Sequence, residues 1–165
     1  VGIFDQDLVQ KYGVSGPALR AMGHASDVRK DEPYGIYDRF EFDIPTQQEG
    51  DCFARSLVRM EEMLQSIRIV EQAVKGIPEG PFMAAKVPKR IRPAEGEYYF
   101  CVESARGNFG MYIVSDGSDI PFRHKLRTPS FANMATMPDV MRGELLSDAV
   151  AILGSIDIVV PEIDR

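Results

Sequence analysis

The stretch from Gly50 to Lys75 constrains this chain more than any other. Phe53, Leu57, Met60, Leu64, Ile67, Val70 and Val74 recur every three or four positions, the spacing of one apolar stripe along a helix. Val58, Met63, Ile69 and Ala73 form a second line beside it, so the stripe is wider than a surface helix needs. Asp51 stands where an N-cap belongs, and Gly76 with Pro78 ends the run. At 1.5 Å per residue the helix reaches roughly 35 Å, the breadth of a small domain. Such a helix is a scaffold, and the remaining segments must be arranged around it.

The remainder reads as short elements. Gln6 to Tyr12 suits a short helix, and Ala18 to Met22 a helical turn following Gly13, Gly16 and Pro17. No GxGxxG or GKS/T pattern follows a strand there, which argues against a phosphate-binding loop. From His24 to Pro45 charges and aromatic rings alternate around Pro33, which disfavours helix in its neighbourhood. Asp27, Arg29, Asp31, Tyr34, Tyr37, Asp38 and Arg39 can interlock there through ion pairs and ring–guanidinium contacts. Ile77 to Gly96 carries KVPKRIRP, read as an exposed basic loop.

Three β patterns follow: Glu97 to Ser104, Asn108 to Ser115 and Ile120 to Arg127. They are rich in Tyr, Phe, Val and Ile and are separated by turn residues, which predicts an antiparallel meander. Ser130 is placed to cap Phe131 to Ala135, Pro138 to open a second short helix, and Glu144 to Leu153 forms a third. Beyond Gly154, Ile156, Ile158 and Val160 alternate with polar or smaller neighbours until Pro161. An end this apolar predicts insertion into a packed environment, which places Asp157, Glu162 and Asp164 where desolvation raises carboxylate pKa values. The expected fold class is α+β, with one long amphipathic helix, several short helices and a small antiparallel three-stranded sheet.

Composition narrows the functional classes. A formal net charge of −6 disfavours broad binding to a phosphate backbone. Cys52 and Cys101 are too few for a disulfide framework, and no CxxC or clustered His pattern supports a metal site within this chain. No apolar run approaches the ~18 residues of a membrane span. The start at Val1, without Met or a leader, reads as a fragment boundary.

In order along the chain stand SGPALRAMG, DVRKDEPYGIYD, GDCFARSLVRMEEMLQSIRIVEQA, VESARGNFGMYIVSDGS, PFRHKLRTPSF and SIDIVVPEIDR. These blocks resemble the quinone-proximal D-subunit of respiratory complex I, NADH:quinone oxidoreductase. That family is itself similar to the large subunit of nickel–iron hydrogenases. The resemblance covers essentially all of residues 1–165 and implies one C-terminal fragment of a longer, hydrogenase-large-subunit-like chain. It further implies a role in shaping a quinone cavity, with electrons arriving from a terminal iron–sulfur cluster in a neighbouring subunit. NAD and the iron–sulfur clusters belong to other subunits, quinone is the substrate of the whole complex, and this chain alone binds no cofactor. Partners implied are the other peripheral-arm subunits and a membrane-arm subunit at the quinone entrance. The location implied is the cytoplasmic side of the cell membrane, as a peripheral protein of a proton-pumping respiratory-chain translocase.

Carried over by motif, Asp157, Val159 and Glu162 match the terminal turn lining the family's quinone cavity, and Lys125 in the RHKLRTPSF block accompanies them. Val159 serves as an apolar wall, and the two carboxylates are candidates for coupling quinone reduction to protonation. The family's main head-group ligands, a His and a Tyr, are not in this stretch. Two departures are visible: Pro161 replaces a usual Gly, and Met22-Gly23-His24 replaces a usual Ser-Gly. Both suggest a divergent member, one fed by a donor other than NADH. Two alternatives stand beside this reading. A nickel–iron hydrogenase fragment is disfavoured because SIDIVVPEID occupies the place of a CxxC and supplies no thiolate. A purely structural assembly module would leave the terminal carboxylates without chemistry. Alone, the fragment is expected to be inactive, and to be marginal or self-associating through exposed apolar surface.

Overall fold

The computed structural model describes residues 1–164, so Arg165 lies outside the described residues. Three of the first four α-helices begin where an aspartate side chain satisfies a free N–H of the first turn, whereas the second begins at Gly16 with Pro at its start. Helix α1 (Gln6–Tyr12) is capped by the Asp5 carboxylate, which accepts from the Leu8 N–H at 2.8 Å. It ends at left-handed Gly13, whose N–H returns to the Val9 carbonyl. Helix α2 (Pro17–Arg20) follows, then α3 (Val28–Asp31), capped by Asp27. A 3-10 turn (Tyr37–Arg39) lies beyond Pro33. The long helix α4 (Cys52–Gly76) starts where its sequence predicts, with Asp51 accepting from the Ala54 N–H at 2.8 Å.

Strands β1 (Gly96–Ser104), β2 (Gly107–Ser115) and β3 (Arg123–Arg127) form the expected antiparallel meander in the order β1-β2-β3. Ser104 pairs with Gly107, which leaves Ala105 and Arg106 as a two-residue hairpin turn. The third strand starts later than Ile120, because Asp116 to Pro121 is occupied by a turn in which Ser118 bonds the Ile120 carbonyl. Then come α5 (Pro129–Met134), α6 (Met137–Val140), α7 (Asp148–Ile156) and α8 (Val160–Ile163).

Three expectations about this last region are corrected. Ser130 does not cap α5; Thr128 holds the N-cap position, and the Ser130 hydroxyl is committed to Glu162. The third helix runs Asp148–Ile156 rather than Glu144 to Leu153, because Gly143 to Ser147 is taken up by turns. The alternating Ile156, Ile158 and Val160 make no strand. Asp157 ends α7 in the left-handed conformation, and Pro161 sits within the first two positions of α8, where its missing N–H costs nothing.

The core joins the two ends of the chain. Phe4, Leu8, Val9, Val14 and Ala18 pack with Val140, Ile152 and Ile156, while Ala21 meets Ala54 and Val58 in a smaller cluster. Helix α4 packs against α7 and α2. Its buried residues are Ala54, Arg55 and Val58, not the long apolar stripe: Phe53, Leu64 and Val74 are 68%, 60% and 66% exposed. The stripe is broader than the partners this chain supplies. Arg55 takes a core position because its guanidinium meets the carbonyls of Gly2 and Gly50 and the Ser155 hydroxyl, with the Phe4 ring 4.5 Å away. Among the described residues no helix is long and apolar enough to cross a membrane.

Candidate functional site

The end of α7 meets α2, α3, α4 and the β1–β2 hairpin around a cleft of about 380 Å³. Arg20, Arg29, Arg59, Glu62, Glu103 and Asp157 are among its walls. Arg20 is 1% exposed, so its charge must be met inside the protein. Its Nε lies 2.5 Å from a Glu62 oxygen and its Nη1 2.9 Å from a Glu103 oxygen, with Asp27 at 3.9 Å. The same Nη1 donates to the Ser26 carbonyl. Arg29 grips Asp27 with two bonds, at 2.9 and 2.6 Å, and faces the Phe42 and Tyr37 rings. The interlocking expected for Asp27, Arg29 and Tyr37 is thus present, and its centre is Arg20.

One guanidinium shared among three carboxylates satisfies itself more fully than it satisfies any of them. Burial works against the Arg20 charge, but Glu62 and Glu103 outweigh it and raise the Arg20 pKa. Burial pushes Glu62 and Glu103 up, with Arg20 opposing incompletely. Burial also pushes at Asp27, but its bonds to Arg29 win and hold it below the ordinary carboxylate range.

The consequences for stability have opposite signs. Glu62 and Glu103 bind protons more tightly folded than unfolded, so their contribution is full below the ordinary glutamate pKa. It is lost as pH rises through their raised folded values. The Asp27 contribution is present above the ordinary aspartate pKa and is lost as pH falls through its lowered folded value. Chemical denaturation across this range will show stability declining above the ordinary glutamate pKa, and Glu62→Gln will flatten that decline. An unchanged slope in the variant would contradict the assignment.

The residues singled out by motif lie on the turn between α7 and α8. Asp157 has φ 56°, and its side chain is 44% exposed. Its carboxylate pairs with the Arg106 guanidinium at 3.3 Å, and its carbonyl accepts from Arg106 Nε at 2.7 Å. Val159 is half-buried, and its N–H donates to the Ser130 hydroxyl. That hydroxyl in turn donates to the Glu162 carboxylate, which also accepts from the Ser130 N–H at 3.2 Å. Thr128 completes the anchor by donating its hydroxyl to the Glu162 carbonyl at 2.6 Å. Asp157 and Glu162 are therefore acids held by neighbouring donors, Asp157 by Arg106 and Glu162 by Ser130. Lys125 is not brought to this turn's cleft; it lines a separate cavity on the sheet with Tyr99, Tyr112 and Arg127.

Several site residues escape sequence reading. Glu62 lies in α4 and Glu103 in β1, 42 and 83 positions from Arg20, and no local pattern links them. Arg106 looks like an ordinary hairpin residue, and Ser130 like a cap. The available signal is the placement of charges in otherwise apolar text, as with Arg20 in SGPALRAMG.

Comparison with known proteins adds an independent line. The family model described as respiratory-chain NADH dehydrogenase, 49 Kd subunit, matches residues 1–94 and 85–165. The NADH-quinone oxidoreductase D-subunit of Syntrophobacter fumaroxidans is 52% identical over the whole of this chain, which covers 44% of that protein. The D-subunit of Desulfotalea psychrophila is 50% identical, again over the whole chain and 44% of its own length. The corresponding protein of Clostridium beijerinckii is 47% identical, with the same coverage. The chain thus spans less than half the length of these relatives.

Proposed function

The chain belongs to the family of the 49 Kd subunit of respiratory-chain NADH dehydrogenase, and from that premise we propose that it forms part of a quinone cavity. The parent assembly in this reading is a membrane-attached, proton-pumping NADH:quinone oxidoreductase, with this chain in its peripheral arm on the cytoplasmic side. Electrons come from a terminal iron–sulfur cluster in a neighbouring subunit, and NAD is bound elsewhere in the complex. The single supporting observation is the anchored turn from Asp157 to Glu162, where a left-handed aspartate stands at the edge of a charged cleft.

The chemistry assigned to this chain is modest. Val159 supplies an apolar wall that excludes water, and Asp157 and Glu162 hold or pass the protons that accompany quinone reduction. Glu162 is joined to Val159 through Ser130, so wall and acid are held by one hydroxyl. Lys125, in its separate cavity on the sheet, is a lesser member of the same reading.

In the intact complex, Asp157→Asn keeps a residue tolerant of left-handed backbone and removes the titrating group. Quinone reduction is expected to fall about 10²-fold, the lower range for a lost acid or base. NADH oxidation with an artificial acceptor that draws electrons upstream should stay unchanged. Val159→Trp should weaken inhibitor binding in the same assay. Normal quinone turnover and inhibitor sensitivity in both variants would overturn the assignment.

A further inference from the structure

Among the described residues Asp157 is the one non-glycine residue with positive φ. For an L-residue that backbone is disfavoured and persists where the surroundings support it. Two guanidinium groups from different parts of the chain support it here. Arg59, on α4, donates its Nη2 to the carbonyl of Ile156 at 3.2 Å. Arg106, in the β1–β2 turn, donates its Nε to the carbonyl of Asp157 at 2.7 Å and brings its Nη2 to the carboxylate. Consecutive carbonyls at the end of α7 are thus each met by a cation, where the helix presents its negative end.

Arg59 is placed at evident expense. Among the described residues it has no carboxylate within ion-pair distance, although Asp157 and Glu62 are near enough to act on its charge. Its buried Nε has no hydrogen-bond partner among them, and its Nη1 reaches only the Arg55 carbonyl, at 3.3 Å. A glycine at position 157 would end the helix without either arginine. The arrangement suits holding a carboxylate in place better than it suits ending a helix.

We infer that Arg59 and Arg106 are positioning residues that clamp the Ile156–Asp157 backbone and thereby fix the Asp157 carboxylate at the mouth of the cleft. This rests on the reading of Asp157 as a group that acts in quinone reduction. Neither arginine touches substrate in this scheme; each acts through Asp157.

The test uses the assembled complex in its membrane, with turnover normalised to upstream electron input so that poor assembly is not counted as slow chemistry. Arg106→Gln is the first variant, since its side chain is partly exposed and its loss leaves the core intact. Its quinone kcat is expected to fall about tenfold, the scale of a misplaced reacting group, with the quinone KM little changed. Arg106→Lys should restore most of that loss. Arg59→Gln should give the same split, and Arg59→Lys carries the test if Arg59→Gln does not assemble. In an Asp157→Asn background, Arg106→Gln should cost nothing further, because both changes act through one group.

A normal kcat per assembled complex in the arginine variants, alongside a slow Asp157→Asn, overturns the clamp and leaves the proposed function standing. So do losses that multiply in the double variant. Normal turnover in Asp157→Asn itself overturns the clamp and the role of Asp157, and the proposed cavity falls with them when Val159→Trp is normal as well.

Discussion

Replacing Arg20 by methionine is expected to destabilise the fold by about 3–5 kcal/mol at neutral pH, as when one partner of a buried ion pair is removed. The methionine fills much of the space, so the loss reports charge rather than a cavity. Glu62, Glu103 and Asp27 would remain where Arg20 held them, and Arg29 is already committed to Asp27. The loss should shrink as pH falls, because protonated Glu62 and Glu103 no longer need a cation between them. Urea denaturation at two pH values measures both effects. A loss under about 1 kcal/mol, the range of exposed pairs, would show that the cluster is solvated in solution.

The second large effect comes from a place with no side chain. Gly16 has φ 70°, and a methyl group there would stand 2.5 Å from the Arg106 carbonyl and from the Gly107 Cα. Gly107 faces the same obstacle in return, 2.5 Å from the Ser15 hydroxyl and 2.8 Å from the Gly16 nitrogen. Two backbones touch here because neither has a Cβ. Gly16→Ala combines left-handed strain with overpacking against main chain, and about 3 kcal/mol is expected. Gly35→Ala is the control: its φ is 62°, and nothing lies within 4 Å of the added methyl. It should cost only the backbone part, about 1–2 kcal/mol. Equal losses at the two glycines would mean that the hairpin can move away. In the complex, Gly16→Ala should also slow quinone turnover, because the displaced turn carries Arg106.

How much is legible in the sequence depends on how local the cause is. The boundaries of α1 and α4 can be read because caps, apolar spacing and terminating glycines act within a few residues. The sheet can be read because its hairpin closes over two residues. The buried face of α4 cannot, since its stripe is wider than anything this chain lays against it. Arg55 enters the core through carbonyls that lie far away or outside the helix. Helix α7 starts later than its sequence suggests, and no side chain caps that start to mark it. The turn at Asp157 to Glu162 is found by its motif. Its supports, Arg106 and Ser130, are not, because they approach from 51 and 32 positions away.

The joining of residues 4 to 18 with residues 140 to 156 in one core governs when the molecule can be assembled. Gly2 donates to the Glu144 carboxylate across 142 positions, and Lys11 reaches Asp139 across 128. On the ribosome residues 4 to 18 emerge long before residues 140 to 156. The greasy side chains of the first group meet those of the second only after nearly the whole of this stretch has been translated. Closure across such separations is slow, so this core forms late relative to the local elements.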